Sequence, residues 1–531
     1  MHGNESGSIF WKGCDLNSKD FEPGECGYVP QHSNFHEQLT SREILLFSRK
    51  LKAKDASEKA TEAFVDRLLA EVGLAEIAHQ TAQTLSGGQR RRLSLGIVLC
   101  SEPSILLCDE VTSGLDPRSE REILELLKKQ AHDQRRLVIL VTHGQRDYEK
   151  FDTLTVLSEG RVAFHGIPER AKEFFGIENL VDVSELLTER DAETWPDRFL
   201  NEFGIKTNLQ NSHHSQSDYT EDGHDDLGNV AEEFGHERNG SKVGRVRFLE
   251  QFWLVLTRRL ICFFRNRSEI WIHVMLIVSF PAIVAVFAWN GLPKIQSLGF
   301  GIERNVSIRF EELVDFLESS SEVGGLVSGV VMFQVILLCI MGSNNSGREI
   351  AKERQIYELE RLGGLRAGPY LLSKIVFLLL LCLIQSIWMG IFVHFLCQFP
   401  GDLFLKLGAL FLVNVALSMI CLGVSSIARS PETASLISMY IVGFQIPLSG
   451  AVLALPEMIG PFVRPFISSY WSWSGVVRTL ETEQYYDIVA AVAPSSIAES
   501  GISFFVLLVH VLLGIILTWV GCRRRAISAL R

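Results

Sequence analysis

Asp109 and Glu110 close the run Ser104-Ile105-Leu106-Leu107-Cys108, and a buried strand that ends in two carboxylates delivers both to a phosphate site. There Asp109 can hold Mg²⁺ directly or through water, while Glu110 can polarise an attacking water. His143 follows a second apolar run, Leu137 to Val141, at a point where an imidazole can meet a γ-phosphate. A core strand with an acidic end is the plainer reading of Asp109 and Glu110 taken alone, and the second strand with its histidine argues against it. Leu85-Ser86-Gly87-Gly88-Gln89 precedes a helical run from Gln89 to Cys100, which puts a small hydroxyl and bare backbone amides at a helix N-terminus. That is an anion site unless it is only an N-cap with a glycine-rich turn. Ser113-Gly114-Leu115-Asp116 lies just beyond the acidic pair.

In this order and spacing the four stretches resemble the ATP-handling half of an ABC transporter, and the resemblance extends over nearly the whole chain. Tyr28-Val29-Pro30-Gln31 is similar to that family's Q-loop, about fifty residues before Leu85, with a helical stretch from Ser57 to Val72 between them. The resemblance implies an α/β P-loop NTPase-type nucleotide-binding domain that uses ATP and Mg²⁺. It places Asp109 and Gln31 on the metal and gives Glu110 and His143 the catalytic roles. Gln31, Ser86, Gly87, Gly88, Gln89 and Asp116 then stand at the nucleotide. The family's phosphate loop, G-x-x-x-x-G-K-[ST], holds the β- and γ-phosphates through backbone amides and a lysine. No such string occurs in these residues, and Glu5 to Gly13 resembles the strand that normally follows it. The nucleotide domain is therefore expected to be N-terminally incomplete, through a fragmentary gene model rather than mutation. Two such domains sandwich ATP in this family, each site taking the phosphate loop of one and the signature of the other. The chain as written is expected not to hydrolyse ATP alone. With a complete partner it could still supply Ser86, Gly87 and Gly88.

The chain has 531 residues, 47% of them hydrophobic, and the apolar excess sits in its second half. A net charge of −11 and the lack of a long basic tract argue against nucleic acid as a partner. The ten cysteines include no C-x-x-C pair, so neither zinc nor a disulfide framework is suggested. Residues 1–178 read as the nucleotide domain, 179–243 as a polar linker and 244–531 as a membrane domain. The linker's His213, His214, His224 and His236 suit a solvated segment better than a metal cluster.

Six apolar stretches reach the roughly 20 residues that a bilayer-spanning helix needs. They run Trp271–Trp289, Val323–Ser343, Ile375–Cys397, Leu407–Ala428, Ala434–Leu455 and Ile502–Val520, and none contains Asp, Glu, Lys or Arg. Only His273, His394 and His510 lie within them, so a proton relay is not indicated and ATP is the expected drive. Arg348, Lys352, Arg354, Arg361, Arg366 and Lys374 crowd one loop, which makes that side cytoplasmic and leaves both termini inside.

A nucleotide domain followed by six helices resembles the White-type or G subfamily of half-transporters, with an ABC-2 type permease domain. The resemblance implies a multi-pass protein, expected at the plasma membrane, that works with a second half-transporter in the lipid bilayer and exports a lipophilic or amphipathic substrate. A non-catalytic subunit lending its signature to a complete partner is the alternative. Phe248 to Arg267 is similar to the family's interfacial helix, and Arg348 to Arg354 to its coupling segment. In the resembling family the second and fifth spans enclose the substrate path, which would bring Phe333, Phe444 and Gln445 to the dimer axis.

Overall fold

Ile105–Asp109 is apolar for four residues running, the pattern of a strand covered on both faces, and it forms the middle of a parallel sheet. A computed structural model of the chain describes residues 10–12, 14–16, 21–22, 24–52, 57–142, 148–183, 186–187, 194–202, 246–289, 310–397, 401–449, 456, 458–481 and 484–523. Its contacts divide into two units. One holds Met1–Ser33, Asp55–Gln80 and Thr84–Gly244, the other Asn34–Lys54, Thr81–Gln83 and Arg245–Arg531.

In the first unit, β1 (Phe10–Trp11) and β2 (Cys14–Asp15) form an antiparallel ribbon. β3 (Cys26–Val29), β4 (Ile105–Asp109) and β5 (Leu137–Val141) make the parallel sheet, with Cys26 opposite Ile105 and Asp109 opposite Val141. β6 (Leu154–Ser158) and β7 (Arg161–Gly166) pair as a hairpin. The helix Gly87–Leu99 packs on β3 so closely that a side chain at Gly27 would come within 2.4 Å of Val98. The folded unit reaches past the expected start of the linker. In Thr194–Glu202, Trp195 and Phe199 are buried against Phe164, Phe174 and Phe175. The four linker histidines lie outside the described residues.

In the second unit, α1 (Ser41–Lys52), a segment of the nucleotide half by sequence, packs with the helices of the membrane half and buries Leu51 among them. Five helical stretches are long and apolar enough to cross a membrane among the described residues: Arg267–Ala288, Ser321–Leu362, Ala367–Cys397, Leu403–Ile427 and Ser500–Arg523. The sixth expected stretch, Ala434–Leu455, is helical over its described part but in two pieces. Its helix, Pro431–Gln445, has 15 residues and gives way to a short 3-10 turn at Pro447–Ser449. Pro447 brings no N–H to continue the ladder. Residues 450–455, Gly450 among them, are outside the described set.

Leu403–Ile427 is the central helix of this unit. Its partner Ser500–Arg523 approaches through small residues: a side chain added at Gly514 would meet the Met419 backbone at 2.4 Å, and one at Gly423 the Leu517 side chain at 2.8 Å. Such contacts are how helices associate where burial from water gives no drive. A polar net ties three helices beneath them. Asn345 donates to Gln385 Oε1 at 2.8 Å, and Asn414 donates to the same oxygen at 3.2 Å.

Candidate functional site

The two carboxylates emerge where β4 ends, beside the loop that leaves β3. Parallel pairing places Tyr28 one strand away from Asp109, and the Tyr28 hydroxyl donates to Asp109 Oδ2 at 2.9 Å. Burial, then that bond, pushes the Tyr28 phenol up to about 12, so it remains a donor at any physiological pH. Gln31, two residues past β3, donates from Nε2 to Glu110 Oε2 at 2.7 Å. Glu110 itself sits at φ +46°, and its N–H donates to the Val141 carbonyl at 2.9 Å. A non-glycine residue in that region costs about 1–2 kcal/mol, strain of the kind that clusters at functional sites. Gln31, Asp109 and Glu110 are thus brought together at the carboxyl edge of a parallel sheet, the usual crevice for a ligand in open α/β folds.

The second group lies on the helix Gly87–Leu99. Ser86 caps it: the Gln89 N–H donates to Ser86 Oγ at 3.4 Å, and the Ser86 N–H donates to Gln89 Oε1 at 2.9 Å. The side chain of Gln89 is committed to this capping box. Gly87 is exposed at the helix start, and Gly88 is packed so tightly that a Cβ would meet Ser119 Oγ at 2.7 Å. Asp116 is exposed and caps the helix Pro117–His132, accepting from the Arg118 and Ser119 amides at 3.1 Å each. Those amides, with the Ser119 hydroxyl first, hold its carboxyl below the usual range. In this chain its visible role is structural. His143 lies outside the described residues, two positions beyond the end of β5.

Sequence reasoning passed over Tyr28 and Arg91. Arg91 donates to the Pro30 carbonyl at 3.3 Å, which ties the signature helix to the loop carrying Gln31. The donors around Asp109 and Gln31 are oxygens, which suits Mg²⁺ completed by phosphate and water. Among the described residues no group of three His, Cys, Asp or Glu could hold a metal by itself.

The second unit holds a buried charge cluster. Arg259 pairs with Glu349 at 2.6 Å and Glu269 at 2.7 Å, Lys374 pairs with Glu349 at 2.8 Å and Glu353 at 2.5 Å, and Arg258 pairs with Glu360. The helix Phe248–Arg265 turns two of its basic residues into this cluster and leaves Leu249, Trp253 and Phe264 exposed. Arg258 and Arg259 are buried in ion pairs instead of facing lipid head groups, because Glu349, Glu353 and Glu360 on the helix Glu349–Leu362 require cationic partners. Glu43 and His36, on and beside α1, reach the same side of the unit, Glu43 through Arg265 at 2.6 Å and His36 through Glu353 at 4.0 Å.

Of the three path residues, Gln445 is buried, accepting from the Ser469 N–H at 3.0 Å, and Phe333 stacks edge-on against Phe287 at 5.0 Å. Phe444 alone is exposed, on the outer face of the short helix.

The site at the carboxyl edge of a parallel sheet stands in one chain with several long apolar helices, and comparison with known families gives the class. Residues 1–113 match the family model for the ABC transporter nucleotide domain, and 250–477 match the model for ABC-2 type transporter membrane domains. Similar proteins include ABC transporter G family member 4 of Arabidopsis thaliana, 37% identical over 164 residues, which are 30% of this chain and 28% of that protein. Protein white of Drosophila melanogaster is 31% identical over 178 residues, 32% of this chain and 26% of its own length. An ABC transporter ATP-binding/permease protein of Mycobacterium tuberculosis is 24% identical over 440 residues, 80% of this chain and 45% of its own. In each case the match spans less than half of the relative. The chain is a multi-pass membrane ABC transporter chain, homologous to White and the G-family half-transporters.

Proposed function

We propose that this chain is one half of an ATP-driven transporter that works as a dimer and exports a lipophilic or amphipathic substrate. The observation that carries this is the hydrogen-bonded set Tyr28–Asp109 and Gln31–Glu110 at the strand ends, in a chain that continues into an ABC-2 type membrane domain. Asp109 and Gln31 would hold Mg²⁺, which supplies charge neutralisation to the phosphates. Glu110 orients and deprotonates the attacking water, with Gln31 holding its carboxylate in place. His143 would meet the γ-phosphate. Ser86 and Gly87, exposed at the start of the helix Gly87–Leu99 with Gly88 packed behind them, would face the nucleotide held by the partner's phosphate loop.

The basic loop 344–374 supports a cytoplasmic nucleotide half with both termini inside, and we place the protein at the plasma membrane. In a second reading the chain is a non-catalytic subunit that lends its signature, the capped helix start at Ser86 and Gly87, to a complete partner. ATPase assays on the assembled dimer separate the two. If this chain is catalytic, Glu110→Gln slows turnover by about 10²-fold or more, the scale for loss of a general base, while ATP still binds. An unchanged rate removes Glu110 from the mechanism.

A further inference from the structure

Between the helices Phe310–Ser346 and Pro431–Gln445 lies a cavity of about 390 Å³, within the range that takes a small ligand. Its lining is divided by chemistry along its length. Ser343, Asn344, Arg348, Ser435 and Ser438 supply a polar end, and Ile340, Met439, Val442 and Ile446 an aliphatic one. Arg348 is exposed and is the sole charged residue in the lining. Glu432, exposed on the first turn of the short helix, acts on Arg348 through charge. Ser438 Oγ is buried beside the Cys421 thiol, a weak partner that leaves the hydroxyl short of a full hydrogen bond. Gly443 opens the aliphatic end, since a side chain there would meet nothing within 4 Å.

From this division we infer that the cavity binds an amphipath with one anionic head group, carboxylate or phosphate, and an aliphatic tail. The guanidinium fork of Arg348 matches either head geometrically, with serine hydroxyls and the Asn344 amide to fill the remaining acceptor sites. The N-terminal end of Pro431–Gln445 adds its positive dipole on the same side. The tail lies along Met439, Val442 and the space at Gly443. This rests on the export reading for its orientation: the polar end sits where the basic loop begins, so the ligand enters from the cytoplasmic leaflet with its head toward the cytosol.

The test measures equilibrium binding, without ATP, to the assembled transporter in phosphatidylcholine nanodiscs, with protein-free discs as the partition reference. Four pyrene-tailed probes share one chain and carry a carboxylate, a phosphate, a hydroxyl or a trimethylammonium head. One or both anionic probes should bind at least about tenfold tighter than the hydroxyl probe, a difference worth about 1.4 kcal/mol. The tighter of the two identifies the head. Arg348→Gln should erase the preference without changing hydroxyl-probe binding, Arg348→Lys should keep most of it, and Gly443→Leu should weaken all probes alike. Equal binding of all heads, a preference that survives Arg348→Gln, or no binding by any probe while Met439→Cys crosslinks fully to a second copy would each overturn the proposal. Transport assayed separately distinguishes the two readings: head preference without ATP-driven movement would refute export and leave the cavity assignment standing.

Discussion

Glu110 holds a left-handed backbone conformation at the end of a buried strand, and its carboxylate is already engaged by Gln31. The acidic pair and the signature serine and glycines were legible in the sequence because each has a residue type that its chemistry demands. Tyr28 was not legible. Its bond to Asp109 spans 81 positions and exists only through strand register, which no local pattern displays. Tyr28 orients a proposed metal ligand from behind, and loss of such support typically costs about 10–100-fold in metal affinity. Tyr28→Phe should therefore raise the Mg²⁺ concentration for half-maximal ATPase of the assembled dimer by about tenfold or more. An unchanged Mg²⁺ titration would place Asp109 off the metal. His36 yields a second expectation. Burial, then the Arg258 charge, pushes its imidazole down to about 4 despite Glu353 and Glu360, with Lys374 also opposing protonation. The folded chain then binds fewer protons than the unfolded chain below its ordinary value of 6.5. Stability is full above that value and falls as pH drops toward 4, so His36→Gln should flatten the decline in thermal midpoint between pH 7 and pH 5.

The elements of the membrane half were partly legible. Hydropathy finds apolar windows, and among the described residues five of the six carry helices of spanning length, but it is blind to the change from α-helix to 3-10 turn at Pro447 in the other. Nor does it see that Arg258 and Arg259 turn inward, because their partners come from a helix some 90–100 residues later in the chain. These pairs fix Phe248–Arg265 against Glu349–Leu362. Removing one member of a buried pair leaves the other uncompensated, at a cost of about 3–5 kcal/mol. Arg258→Ala should lower the unfolding midpoint far more than the exposed Arg118→Ala, whose partner Glu122 is on the next turn. Equal, small effects would mean that the cluster is hydrated and adds little. The helices Leu403–Ile427 and Ser500–Arg523 should be as sensitive to bulk, since Gly514→Leu has no room beside the Met419 backbone.

For the whole molecule, the order of parts was the most legible feature, because ordered motifs mark the nucleotide site and hydropathy marks the long apolar helices after it. The division of contacts was not. Residues Asn34–Lys54 belong by sequence to the nucleotide half and by packing to the helical unit, where Glu43 meets Arg265. Under the proposed export reading α1 couples ATP turnover to the membrane helices, and Glu43→Gln should lower transport more than ATP hydrolysis in the assembled dimer. The central claim is that ATP turnover involving Glu110 moves an amphipath across a bilayer. Its most direct test is uptake of a fluorescent amphipath into inside-out vesicles that hold this chain with a complete partner. Uptake should require ATP and Mg²⁺ and be lost with Glu110→Gln. Uptake that proceeds equally without ATP, or at full rate in the variant, would contradict it.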